Sequence, residues 1–150
     1  MVAFIDPIRV EVKDSLKECS EAGIKVVMIT GDHPLTAFAI AKELGMCEKQ
    51  SEVATGHDVE QYLAKGEKEF DEFVSKIRVF SRVTPMDKLE IVNSFKRQGE
   101  FVAVTGDGVN DAPAIRAANI GIAMGSGTDV AKETASMIVV DDNFTSIVSG

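Results

Sequence analysis

Apolar positions Val12, Leu16 and Cys19 recur at helical spacing within residues 10–22, and Gly23 follows where a helix needs a C-cap. After Ile24 and Lys25, the run Val26-Val27-Met28-Ile29 is continuously hydrophobic, as in strands buried on both faces of a parallel sheet. Thr30-Gly31-Asp32 breaks the run, Pro34 suits a first helical turn, and residues 35–44 carry helix-compatible Ala, Ile and Leu before Gly45. The unit is strand, polar turn, helix.

The unit recurs twice. Phe101-Val102-Ala103-Val104 leads through the polar residues 105–111 into a helix over about 112–118. Ile120-Gly121-Ile122-Ala123-Met124 leads through Gly125-Ser126-Gly127 into a helix over about 128–134. Arg78-Val79-Phe80 reads as another short strand, followed by Pro85 and a helix through Lys96 with Leu89, Val92 and Phe95 on its inner face; residues 137–140 read as a last strand. Strands alternating with helices predict an α/β fold with a mainly parallel sheet covered on both faces. Residues 50–77 depart from the rhythm. Gly56 and Gly66 frame a helix over 59–63, and Phe70 and Phe73 mark the inner face of another, which predicts a peripheral helical excursion within one 150-residue domain.

Composition narrows the classes. Hydrophobic residues make up 45% and charged residues 27%, a mixture that argues against disorder. The net charge of −8 opposes nucleic acids and acidic membranes, so any phosphate binding must rest on local geometry. Cys19 and Cys47 form no CxxC pair, which fits two thiols in a reducing compartment, and His33 and His57 stand apart from zinc-ligand spacing. With no apolar run approaching ~20 residues, the expectation is a soluble chain. Phe144, Ile147 and Val148 begin an apolar pattern that stops at Gly150, which suggests a chain cut within a longer protein.

The polar loops follow strands, and ligands of doubly wound sheets gather at the carboxyl ends of strands. In Thr105-Gly106-Asp107-Gly108-Val109-Asn110-Asp111, two carboxylates beside a phosphate would repel it unless a cation such as Mg2+ intervened. Asp107, Asn110 and Asp111 also suit a plain turn and helix cap. Thr30 combines a hydroxyl with a helix start that favours anions, or it simply caps that helix. Asp32 reads as an organiser of the loop or as a cap. Lys88 sits one turn into the helix after Pro85, where an ammonium could reach a phosphate or stand solvated. Arg9 could touch nucleotide phosphate or ribose, or pair with an acid. The glycines around Ser126 do not make a P-loop, and no dinucleotide fingerprint is present.

Taken together, Asp6-Pro7-Ile8-Arg9, Thr30-Gly31-Asp32-His33, the stretch Arg82-Val83-Thr84-Pro85-Met86-Asp87-Lys88 and the uninterrupted Thr105-to-Pro113 motif resemble the phosphorylation domain of P-type ATPases, within the haloacid-dehalogenase-like superfamily. Gly121-Ile122-Ala123-Met124-Gly125, Gly127-Thr128-Asp129-Val130-Ala131-Lys132 and Asp141-Asp142-Asn143-Phe144 continue the likeness, which is greatest to type II pumps, calcium pumps in particular. The resemblance implies a Rossmann-like three-layer sandwich. It also implies that Thr30 hydrogen-bonds a phosphoryl oxygen, Lys88 neutralises phosphate charge, Asp107 ligates Mg2+, and Asn110 and Asp111 shape the site. Arg9, Gly31 and Asp32 would face the nucleotide, ATP in the complete pump. Thr128 and Asp129 would belong to packing and a hinge.

One departure matters. The Asp-Lys-Thr-Gly-Thr sequence that carries the family nucleophile occurs nowhere in the chain, and Asp6 is followed by proline. The resemblance therefore implies a partial phosphorylation domain, inactive alone in autophosphorylation and transport, whose partners are the actuator, nucleotide-binding and membrane domains of a membrane pump, with this part cytoplasmic. It also implies a sheet lacking its usual first central strand, with open edges that favour self-association or closure of the neighbouring strands. Two other readings remain: a small-molecule phosphatase of the same superfamily, and an interaction module without turnover.

Overall fold

The computed structural model describes residues 2–5, 12–106, 112–124 and 137–139 of the chain. Along the chain run β1 (Val2–Ile5), α1 (Val12–Glu21), β2 (Lys25–Thr30), α2 (Pro34–Glu43), a 3-10 turn (Gln50–Glu52), β3 (Val53–Thr55), α3 (Gly56–Lys65) and α4 (Glu67–Lys76). They continue with β4 (Val79–Ser81), α5 (Pro85–Arg97), β5 (Val102–Gly106), α6 (Ala112–Ala117), β6 (Ile120–Met124) and β7 (Met137–Val139). The helix expected over 128–134 lies outside the described residues.

These strands form one sheet in the order β3-β4-β2-β1-β5-β6-β7, and each neighbouring pair is parallel. The period-2 alternation of a strand sends β2 side chains to both faces. Val26 and Met28 join Leu16 and Cys19 of α1 and Ala37 and Ala41 of α2 in one cluster. Val27 joins Phe70, Val74, Ile91, Phe95 and Ile115 in the other, under α3 to α6. A strand buried on both sides has no room for polar alternation, which is why Val26-Val27-Met28-Ile29 reads as an unbroken apolar run.

Helices α1 and α2 end alike. Gly23 has φ +80° and Gly45 φ +77°, the left-handed conformation that side chains resist. In α1, Ile24 N–H donates to Cys19 O at 2.8 Å and Gly23 N–H to Ser20 O at 3.1 Å; in α2, Met46 N–H donates to Ala41 O at 2.8 Å and Gly45 N–H to Lys42 O at 3.1 Å. Both are Schellman closures, which satisfy the last carbonyls and turn the chain back toward the sheet.

Two expectations are corrected. The position between β2 and β5 is not open: Val2–Ile5 fills it, with Phe4 in register with Val27 on one side and Val104 on the other. Among the described residues neither β2 nor β5 presents a free edge there, so the physical reason for self-association through that edge is removed. In α5, Leu89 is only half-buried, and the inner stripe is Lys88, Ile91, Val92 and Phe95. Residues 50–77 hold two helices and also β3, which forms one end of the sheet, while Phe70 and Val74 stand in the same core as β2 and α5.

Candidate functional site

Strand order reverses at β1: the chain goes first to one side, through β2, and later returns to the other, at β5. Such a switch point leaves a crevice at the carboxyl ends of the flanking strands. Register sets the level of its walls. Because Phe4 pairs with both Val27 and Val104, Ile29 stands level with Gly106, across two strand spacings of roughly 10 Å in total. Thr30 follows Ile29, and the Asp107 loop follows Gly106.

On the β2 side, the half-buried Thr30 accepts through Oγ1 a hydrogen bond from Asp32 N–H at 3.1 Å, while Gly31 and Asp32 are exposed. The cap of α2 is not Thr30 but His33, whose Nδ1 accepts from Leu35 N–H at 3.2 Å, and Pro34 begins the helix. Thr30 thus shapes the turn and leaves the helix start to His33.

The next loop along the same edge is tied to this one. Arg82 N–H donates to Thr30 O at 2.9 Å, and Arg82 holds φ 54°, a left-handed conformation unusual for a residue with a side chain. Two residues on, Thr84 caps α5 in a reciprocal box: Asp87 N–H donates to Thr84 Oγ1 at 3.1 Å, and Thr84 N–H to Asp87 Oδ2 at 3.0 Å. Asp87 and Lys88 are both buried, Lys88 to 9% exposure. Lys88 is therefore not a solvated surface lysine; its place on the stripe with Ile91, Val92 and Phe95 turns it inward in the first turn of α5.

Gly56, at the start of α3, locks the third piece in place. A Cβ there would lie 2.5 Å from Arg82 O and 3.3 Å from Asp87 Oδ2. Ser81 Oγ, in register with Thr30 and Thr55, is buried without a hydrogen-bond partner among the described residues.

The edge thus brings together the loop of Thr30, Gly31 and Asp32 and the first turn of α5 with Lys88. Arg9, Asp107, Asn110 and Asp111 lie outside the described residues, as do Asp6, Thr128 and Asp129. Among the described residues no group of three or more His, Cys, Asp or Glu could hold a metal ion. No described helix is long and apolar enough to cross a membrane. His33, Asp87 and Gly56 were missed as organisers of the edge, although Thr-x-x-Asp at Thr84 and at Thr55 is a legible capping signature.

A parallel sheet with this switch point and these loops defines a Rossmann-like α/β scaffold, and residues 1–119 match the haloacid dehalogenase-like hydrolase family. The chain belongs to that family. It is 53% identical over 147 residues to calcium-transporting ATPase 1 of Lactococcus lactis, covering 98% of this chain and 16% of that protein. It is 48% identical over 161 residues to the P-type sodium-transporting ATPase4 of Toxoplasma gondii, covering 99% of this chain and 12% of that protein. The crystal structure of a zinc-transporting PIB-type ATPase superposes with a TM-score of 0.68 at 34% identity, over 95% of this chain and 18% of that one. The chain therefore spans about a sixth or less of the length of the two curated relatives.

Proposed function

We propose that this chain is part of the phosphorylation domain of an ATP-driven cation pump, with calcium as the favoured cargo. The observation that carries the reading is 53% identity to a calcium-transporting ATPase across nearly the whole chain. A sodium-transporting relative follows at 48%, so selection of the ion is assigned to segments beyond these residues. The alignment of the Thr30 loop with the first turn of α5 at one edge supports a single phosphoryl site.

In this reading, the Thr30 hydroxyl donates to a phosphoryl oxygen, and the Lys88 ammonium offsets the phosphate charge. Lys88 comes from a buried position, so its charge acts with less solvent screening than that of a surface lysine. Asp107, Asn110 and Asp111 offer only oxygen ligands and an amide, a donor set that fits Mg2+, with Asp107 as the ligand and the other two shaping the loop. Mg2+ bound there neutralises charge on the transferring group. Arg9, Gly31 and Asp32 face the nucleotide. Such a site works by positioning and electrostatics.

The nucleophilic aspartate of the pumps has no counterpart motif in these 150 residues, so phosphorylation needs a segment from elsewhere in the pump. The partners are then the actuator, nucleotide-binding and membrane domains, with this domain on the cytoplasmic side of a membrane-embedded protein. Contact with those domains, rather than self-association through an open edge, is the partnership the reading assigns.

The test is an assay of the purified chain with Mg2+, ATP and small phosphate esters. No acid-stable phosphoprotein and no phosphate release are expected. Sustained release that Asp107→Asn abolishes would make the chain a small-molecule phosphatase instead. Saturable binding of a protein partner, insensitive to Mg2+, to a phosphate mimic and to Asp107→Asn, would make it an interaction module.

A further inference from the structure

A cavity of about 770 Å3 opens at the other end of the sheet, among the C-terminal ends of α1 and α2 and the starts of β2 and β4. Lys25 lines it and Thr30 ends the same strand, five residues or roughly 16 Å away, so the cavity is separate from the carboxyl-edge site. Lys17, Lys25 and Arg78 all line it. Among the described residues none that lines it carries a carboxylate, in a chain whose net charge is −8.

Cations at this end of a parallel sheet have a simple structural use, because helix C-termini bring carbonyl oxygens there. Here that need is largely met without them. The last carbonyls of α1 and α2 accept from Gly23, Ile24, Gly45 and Met46 N–H groups. Among the described residues the Arg78 side chain makes one long hydrogen bond, from Nη2 to Val26 O at 3.4 Å, and its Nε is buried with no hydrogen-bond partner. The nearby Glu52 carboxylate is held by Glu48 and Lys49 N–H groups at 2.8 and 3.0 Å and answers only part of the Arg78 charge, to which it makes no salt bridge among the described residues. Lys25 lines the cavity but sends its Nζ to the α4–α5 face, where it donates to Ser75 O at 2.8 Å and stands 5.2 Å from the Phe95 ring centroid. Burial first and the Arg78 charge second hold its amine below the ordinary lysine range, against the opposing Glu100 charge. The buried Arg78 Nε is thus a donor without an acceptor among the described residues, and an anion in the cavity would satisfy it.

We infer that this cavity is a second anion site that takes a phosphate monoester bearing an apolar body. A monoester carries close to two negative charges at neutral pH, enough to answer Arg78 and Lys17 together. Leu16, Ile24, Leu44 and Met46 supply an apolar wall, and the volume lies in the range of small-molecule sites. Gly23 and Gly45 have open space where a side chain would stand, so backbone forms part of the rim.

The test is a titration of the 15N-labelled chain with phenyl phosphate, followed through backbone amide shifts. Saturable shifts at Ser20, Gly23, Ile24, Gly45 and Met46 are expected, without change at Thr30 to Asp32. The neutral benzyl alcohol should leave the same amides unmoved, and inorganic phosphate should bind more weakly. Arg78→Gln should weaken binding about tenfold or more, the scale of a lost charge-assisted hydrogen bond. Lys17→Gln, at an exposed position of α1, should weaken it severalfold and provides an arm free of folding effects. The inference is overturned by unmoved amides at up to about 10 mM probe, by equal shifts with benzyl alcohol, by equal affinity for inorganic phosphate, or by unchanged affinity in Lys17→Gln and in a folded Arg78→Gln.

Discussion

Gly56→Ala probes how tightly the carboxyl edge is built. The new methyl carbon would lie 2.5 Å from Arg82 O, about 0.9 Å short of an ordinary 3.4 Å contact. Neither side yields easily. Arg82 is already held at φ 54°, and its N–H is committed to Thr30 O, so its carbonyl cannot swing without disturbing the Thr30 loop. Overpacking of this kind costs about 1–3 kcal/mol, and the helix-propensity gain of alanine at the first residue of α3 returns a few tenths at most. The net expectation is a loss of about 1–2 kcal/mol, or roughly 2–8 °C in Tm for a domain of this size. Urea and thermal unfolding measure it, and the amide shifts of Thr30 and Arg82 locate the strain. Unchanged or raised stability, with Thr30 unmoved, would refute the reasoning, because propensity alone would then govern the position.

Thr84→Ala removes the acceptor of Asp87 N–H and half of the α5 capping box, and should cost about 1 kcal/mol in urea unfolding. It should also loosen the turn that orients Lys88, seen as faster amide exchange at Asp87 and Lys88. A second clip joins α4 to α5: Asp71 accepts from Ser94 Oγ at 2.6 Å and from Arg97 Nη2 at 2.7 Å. Burial alone would raise the Asp71 carboxyl, but the Arg97 and Ser94 hydrogen bonds outweigh it and hold it below its ordinary value. A carboxyl more acidic in the folded than in the unfolded chain adds stability above the unfolded value of about 3.9 and loses it as pH falls through the folded value. Asp71→Asn should therefore cost about 1 kcal/mol near pH 7, and the gap to the parent chain should close toward strongly acid pH in urea titrations.

Much of this architecture is legible in the amino-acid order, for identifiable reasons. Strand β2 is buried on both faces and carries no polar residue between Val26 and Ile29, and Gly23 and Gly45 mark helix ends that only a left-handed residue closes. Strand β1 escaped because Val2–Ile5 is four residues long, begins the chain and runs straight into Asp6-Pro7; its central place is set by non-local pairing, which a local pattern does not carry. Strand β3 is shorter still, and its three residues are fixed by β4 alone. The burial of Lys88 was readable: positions 88, 91, 92 and 95 share one helical stripe, whereas the stripe through Leu89 is one residue out of phase. Its cue was masked by the habit of lysines to stand in water. The strain at Arg82 and the contact at Gly56 depend on how two loops meet, and no spacing in the sequence reports that.

The central claim is that the Thr30 loop, Lys88 and the Asp107 loop converge on one phosphate group held with a divalent ion. Backbone amide spectra of the chain, titrated with orthovanadate in the presence and absence of Mg2+, test it most directly. The account predicts Mg2+-dependent shifts confined to Thr30 through Asp32, Lys88 and residues 107–111, abolished by Asp107→Asn and weakened roughly ten- to a hundredfold by Lys88→Gln. Shifts that arise without Mg2+, persist in Asp107→Asn, or leave Thr30 and Lys88 untouched would contradict it.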